Sequence, residues 1–296
     1  MAFSRRTDLA FEACSMLDKT VSRSLSDGIV SPVEKCESCT VERTRISTPE
    51  AARALGKAEG SYVTLSFSES DLKTQKLFKK AARRLAGELS ALLKLQKGES
   101  VLVAGLGNPM MTPDAIGTQT ARRIIATRHL ARDENLSSLR PVSVIAPGVT
   151  GMTGFESGEL IADAATRSGA SAIIAVDALA SRSLERLCTT VQLSDTGIVP
   201  GSGVGNHRSA LNAETLGVPV IAIGVPTVVD AATLAADLLE GQGEIDEERL
   251  RRDQNNMMVT PRDIDAQVRD LAKVVGYGVN WALQELEIEE MNALLS

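Results

Sequence analysis

The sequence predicts an α/β fold: a mainly parallel central sheet with helices on both faces. Three observations carry this expectation. Five short apolar runs occupy the centre of the chain, SVLVAGLG (100 to 107), PVSVIAPG (141 to 148), AIIAVDAL (172 to 179), TVQLSDTG (190 to 197) and VPVIAIGV (218 to 225). Segments of helical length lie between most of them, notably 113 to 130 and 157 to 168, which is the alternation of a parallel sheet with crossover helices. The runs are also apolar throughout, as strands covered on both faces must be, and do not alternate.

The remaining elements follow from local pattern. The first 60 residues are polar and weakly patterned, with no internal repeat. SYVTLSF (61 to 67) alternates like a half-buried strand. From Asp71 to Leu95, Leu77, Ala81, Leu85, Leu89 and Leu92 recur at helical spacing with Lys and Arg between them. An acidic polar stretch (240 to 256) separates the core from a last helix. TPRD (260 to 263) offers that helix a Thr cap, a Pro at its first position and an Asp three residues after the cap. Ile264, Val268, Leu271, Val275, Val279, Ala282 and Leu286 continue its apolar stripe. One α/β domain is expected over 9–296, with its core at 100–237 and its C-terminal helix at 260–290.

Composition narrows the function classes. The 296 residues are 43% hydrophobic and 24% charged, enough to bury a large core. A formal net charge of -6 lacks the basic footprint of a protein that grips nucleic acid phosphates, so no direct nucleic acid partner is expected. No apolar run reaches the roughly 18 residues that a membrane helix needs. The N-terminus lacks the apolar block of a secretion signal, so a cytoplasmic protein is expected. Cys14 and Cys188 read as small hydrophobes. Cys36 and Cys39 form a lone CxxC without a second pair or a nearby His, which argues against a zinc site.

Candidate chemistry gathers in carboxylates at the C-terminal ends of the strands, where open α/β sheets bind ligands. Asp177 ends the third core strand, Asp195 follows the fourth, and Asp114 lies in the loop after the first, in GLGNPMMTPDAIG (105 to 117). Any one of them could be a turn or cap residue. Their environments differ, however. Asp114 sits where a helix opens, which favours the ionised form. Asp177 leaves a strand buried on both faces, and desolvation there favours the protonated form, the more so beside a second carboxylate. Such a pair can share one proton, one member activating water while the other protonates a carbonyl oxygen.

Other motifs compete with this reading. SDTG (194 to 197) matches the Asp-Thr-Gly of pepsin-like and retroviral proteases, but those are all-β and this chain is not, so Asp195 is only a supporting candidate. GLGNP (105 to 109) with Arg128 and His129 resembles peptidyl-tRNA hydrolases, except that the gap is longer and Leu follows the His. Gly105 and Gly107 could open a dinucleotide site, yet no third glycine falls in register. GSGVGN (201 to 206) could form an anion nest or oxyanion site from Gly201, Ser202, Gly203 and Gly205, or a plain surface turn.

GLGN, TPDAIG, TRHL, RPVSVIAPGVTGMTGFES, IIAVDALASRSLER, SDTGIVPGSGVGN and TLGVPVIAIGVPTVVDA, in this order, closely resemble the germination protease (spore protease) family of endospore-forming Firmicutes. The resemblance is dense over roughly residues 100 to 237 and extends to RTDLAFE near the N-terminus and MMVTPRDID near the C-terminus. It implies an endopeptidase that cleaves small acid-soluble spore proteins at germination, located in the forespore and spore core. It also implies a fold similar to hydrogenase maturation proteases, a homotetramer made as an inactive zymogen, and no cofactor. The family's two catalytic aspartates fall on Asp114 and Asp177. Related maturation proteases hold a metal nearby, so a metal-dependent peptidase is one alternative and a non-enzymatic peptide-binding protein another; no metal ligand is assigned. Family substrates are cut after an acidic residue followed by a hydrophobic residue and Ala, so the resemblance implies self-cleavage between Asp8 and Leu9 and makes 1–8 a pro-segment. Longer family members carry an insertion of several dozen residues where this chain has only its acidic stretch.

Overall fold

Burial on both faces drives the central apolar runs into strands. In the computed structural model these are β5 (Val101–Gly105), β6 (Val142–Ile145), β7 (Ala172–Ser181) and β9 (Val220–Asp230), parallel throughout and ordered β6-β5-β7-β9. The structure describes residues 5–17, 25, 28–37, 39–68, 74–130, 139–201, 209–239, 257–284 and 286–295.

Beyond β9 the sheet changes character. β8 (Thr190–Ser194) lies antiparallel to β9, and β4 (Gly60–Ser66), β3 (Thr40–Ile46) and β1 (Ile29–Val30) continue antiparallel from it. The short β2 (Val33–Lys35) pairs with β3, and β10 (Met258–Val259) pairs with β9. The expected parallel sheet is therefore parallel at its centre and antiparallel on one flank. Residues 182–189, between β7 and β8, are too few for a parallel crossover, which takes a dozen or more.

The weakly patterned first 60 residues contribute β1 to β3 and two helices, α1 (Ala10–Ser15) and α2 (Pro49–Leu55). β3 reads TVERTRI, and its charges hide a largely buried strand. Glu42 is buried there because Arg186 grips it with both terminal nitrogens, at 3.0 and 3.2 Å.

One face of the sheet carries α3 (Gln75–Leu93) and α9 (Ile264–Leu283), packed on Val103, Ile174, Val176 and Ile223. Residues of opposite parity, Leu102, Ala104, Ile173 and Ala175, face the other way and meet Ile161 and Ala165 of α6 (Ser157–Ser168). On that second face, at the antiparallel end, α1 and α2 cover Ile46 and Tyr62. Between the two covers lies a row formed by Asp177, Gly224 and Gln192 on adjacent strands.

The other helices are α4 (Ile116–Ala121), α5 (Thr150–Thr153), α7 (Ala213–Leu216), α8 (Ala231–Leu239) and α10 (Ile288–Leu295). Instead of one helix over 113 to 130, the chain forms a 3-10 turn (Thr112–Asp114), α4, and a second turn (Arg128–Leu130). Asn280 of α9 captures the backbone past α4, accepting from the Ile125 N-H at 3.0 Å and donating to the Arg123 carbonyl at 2.8 Å. The helix expected over 260–290 starts at Ile264 and breaks at Gln284, whose side-chain amide bonds both the N-H and the carbonyl of Arg140. Thr260 is not its cap; its hydroxyl donates to the Thr227 carbonyl at 3.1 Å. The acidic stretch 240 to 256 lies outside the described residues.

Close contact between α3 and α9 depends on Gly278, where a Cβ would lie 2.5 Å from Leu85 Cδ2. Leu85 is fully buried. Leu85→Ala should cost about 2–5 kcal/mol of unfolding free energy in urea denaturation, through lost burial and the cavity left behind.

Candidate active site

β5 stops at Gly105, in register with Val176, whereas its neighbour β7 runs on to Ser181. Asp177 is thus the first β7 residue beyond the end of β5. It lies inside the strand and not at its end, as the sequence had suggested. Asp177 is buried, 5% exposed, and its Oδ1 accepts the Ala178 N-H at 2.9 Å.

The chain leaving β5 turns back onto this spot. Gly107 has φ 96, and a Cβ there would lie 1.9 Å from the Asp114 carbonyl oxygen, so only glycine permits the turn. The 3-10 turn ends at Asp114, whose Oδ2 accepts the Asn108 N-H at 2.7 Å. α4 then presses directly on the sheet. A Cβ on Gly117 would lie 2.2 Å from the Val176 carbonyl oxygen, and one on Gly105 would lie 2.2 Å from the Gly117 carbonyl oxygen. Two hydroxyl bonds tie the turn to other elements: Thr227 donates to the Pro113 carbonyl at 2.6 Å, and Thr112 of the turn donates to Asp265 at 2.6 Å.

Asp114 and Asp177 consequently line one cavity of about 580 Å³, together with Asn108, Met111, Val149, Gly201 and Thr260. That volume suits a peptide segment or small ligand. Gly201 borders it with φ 72, while Ser202, Gly203 and Gly205 lie outside the described residues. Asp195 stands elsewhere, exposed in a turn beside β4, where its Oδ1 accepts the Ser61 N-H at 2.7 Å. His129 is exposed in the turn after α4. Among the described residues, no three His, Cys, Asp or Glu side chains gather as a set of metal donors.

A second cavity of about 430 Å³ adjoins the first, with Leu179 bordering both. The N-terminal segment lines it. The Asp8 N-H donates to the Ala180 carbonyl at 2.8 Å, and the Ala180 N-H returns a bond to Asp8 Oδ2 at 2.8 Å. Leu9 and Ala10 are wholly buried. Gln192 brackets them, its Nε2 donating to the Asp8 carbonyl at 3.3 Å and its Oε1 accepting the Ala10 N-H at 2.8 Å. Lys57 donates to the Thr7 carbonyl at 3.2 Å, and burial holds its ammonium below the usual lysine range against the pull of Asp8 and Glu12. Sequence reasoning missed Gln192 and Lys57. Gln192 was visible only as a polar residue at an inward position of an apolar run, and Lys57 carried no signal.

Comparison with known proteins follows the same lines. The family model described as Germination protease matches residues 8–241. A germination protease from Clostridium perfringens is 37% identical over 325 aligned positions, covering 99% of this chain and 100% of that protein. Those positions outnumber the 296 residues here, so the relative carries residues that this chain lacks. Germination proteases from Caldanaerobacter subterraneus subsp. tengcongensis and Bacillus mycoides are 40% and 36% identical, each over 98% of this chain and 98% and 96% of their own lengths. Among solved structures, the NiFe hydrogenase maturation protease HycI from Thermococcus kodakarensis KOD1 aligns with a TM-score of 0.35 and 14% identity, over 65% of this chain and 98% of its own. This chain belongs to the germination protease family and is a protease of spore germination.

Proposed function

We propose that the chain is an endopeptidase that cleaves small acid-soluble spore proteins, with Asp114 and Asp177 acting as a pair on water. The observation that carries this reading is the shared cavity of the two carboxylates, brought together from positions 63 apart in sequence. Asp177, the more buried, holds the proton. Asp114, opened towards solvent and held by the Asn108 N-H, serves as base.

In this mechanism Asp114 takes a proton from water as the water oxygen attacks the scissile carbonyl carbon, and Asp177 protonates the carbonyl oxygen. As the tetrahedral intermediate collapses, the leaving nitrogen takes the proton from Asp114. A hydroxyl of the intermediate returns a proton to Asp177, the carbonyl re-forms, and both carboxyls regain their starting states.

Self-processing of a zymogen at Asp8–Leu9 belongs to the same proposal. Asp8, Leu9 and Ala10 give the acidic, hydrophobic and small order of the expected substrates, and the segment lies beside the aspartate cavity. Assembly as a homotetramer in the spore core is carried over from the family resemblance, and sedimentation of the purified chain tests it.

Asp114→Asn and Asp177→Asn should each lower cleavage of a purified spore protein by about 10²–10⁴-fold, with thermal melting unchanged. Near-normal rates in either variant would sink the pair. A chelator should leave the wild-type rate unaltered, whereas loss on chelation with rescue by a divalent ion would favour the metal-dependent alternative. Gly117→Ala should lower both activity and stability, the latter by about 1–3 kcal/mol, because backbone faces the added Cβ. Calorimetry beside the same digestion assay reads both effects.

A further inference from the structure

The N-terminal segment meets the sheet through contacts that read particular chemistry. Asp8 is held at Ala180 by its own N-H and by its carboxylate, so a residue with an acidic side chain fits that place on β7. Gln192 spans the two peptide groups on either side of Leu9, a contact with main chain alone. Lys57 lines the same cavity beside Arg6, donates to the Thr7 carbonyl at 3.2 Å and is attracted by Asp8.

Gln192 also lies in line with Asp177. Gln192 and Asp177 both stand in register with Gly224, on strands either side of it. Their backbones are therefore about 10 Å apart, two strand spacings. Gly224 has no side chain between them, and a Cβ there would lie 2.2 Å from Leu179 Cδ1. A carbonyl bonded to Gln192 thus sits in a lane that leads to Asp177, with Leu179 leaning across it.

We propose that Lys57, the Ala180 N-H and Gln192 form the subsite that receives the acidic residue before the scissile bond, and that residues 7–10 occupy it in this structure. Lys57 and the N-H select negative charge, while Gln192 positions the main chain. The inference rests on the endopeptidase reading and deepens it, by assigning the preference for an acidic residue to named groups outside the aspartate pair.

The test uses the full-length chain, allowed to process itself, and three synthetic peptides that differ only in carrying Glu, Gln or Lys before the cut bond. Wild type should cut the Glu peptide best. Lys57→Met should lower kcat/KM for the Glu peptide by about 10–100-fold, the worth of a hydrogen bond or contact to a charged group, and for the Gln peptide by less, so that the preference for Glu over Gln falls. Lys57→Arg should keep the preference, and Lys57→Glu should shift it towards the Lys peptide. Gln192→Ala should lower the Glu and Gln peptides alike. An equal fall for the Glu and Gln peptides in Lys57→Met, or an undiminished Glu preference there, would overturn the subsite while leaving the endopeptidase standing. If Lys57→Met does not fold, as judged by circular dichroism, Lys57→Arg and Gln192→Ala decide: loss of the Glu preference in the first, or a selective fall for one peptide in the second, overturns it. Failure of wild type to cut any of the three would remove the underlying reading itself.

Discussion

Everything in the cleft depends on two stretches of backbone coming closer than a side chain would permit. At Gly117 the first turn of α4 rests on the Val176 carbonyl, and at Gly105 the end of β5 rests on Gly117. α4 has only six residues, too few to be stable alone, so its place is set by this packing. The contact lies one residue before Asp177 and three after Asp114. Separation of α4 from the sheet by even a methyl group would therefore move one carboxylate relative to the other.

The two faces of the sheet divide the work. α3 and α9 seal one face with a continuous apolar core, which supplies the burial that holds the domain together. Among the described residues, apolar packing covers the opposite face at its ends, and the polar row of Asp177 and Gln192 occupies the interval. Beside that interval, Glu12 and Glu42 are buried with partners. Glu12 accepts the N-H groups of Arg182 and Ser183 at 2.7 and 3.1 Å, and Arg186 joins it to Glu42. Removing either partner of such a pair would leave a charge without its counterpart, a far larger penalty than the pair's net contribution.

The parallel centre was legible because doubly buried strands leave continuous apolar runs, and the sequence blocks around Asp114 and Asp177 marked both aspartates. Long-range pairing hid the rest. β3 reads as a charged segment since the partner that neutralises Glu42, Arg186, lies 144 residues away. The helix expected over 113 to 130 ends early because Asn280, in a different helix, bonds its backbone. TPRD has the composition of a cap, yet its threonine is drawn to Thr227. Local pattern cannot register partners of this kind. Asp195 shows the converse: a familiar tripeptide whose aspartate bonds a neighbouring strand's N-H.

Leu9 is 0% exposed. Hydrolysis of the bond before it would create an ammonium at a dry position and a new carboxylate beside it. A bare ammonium at a wholly buried residue costs several kcal/mol, so the new N-terminus would be driven out into water. Proteolysis at this point would act as a ratchet: the cut ends no longer fit the place that held the intact chain, and religation would find them already apart.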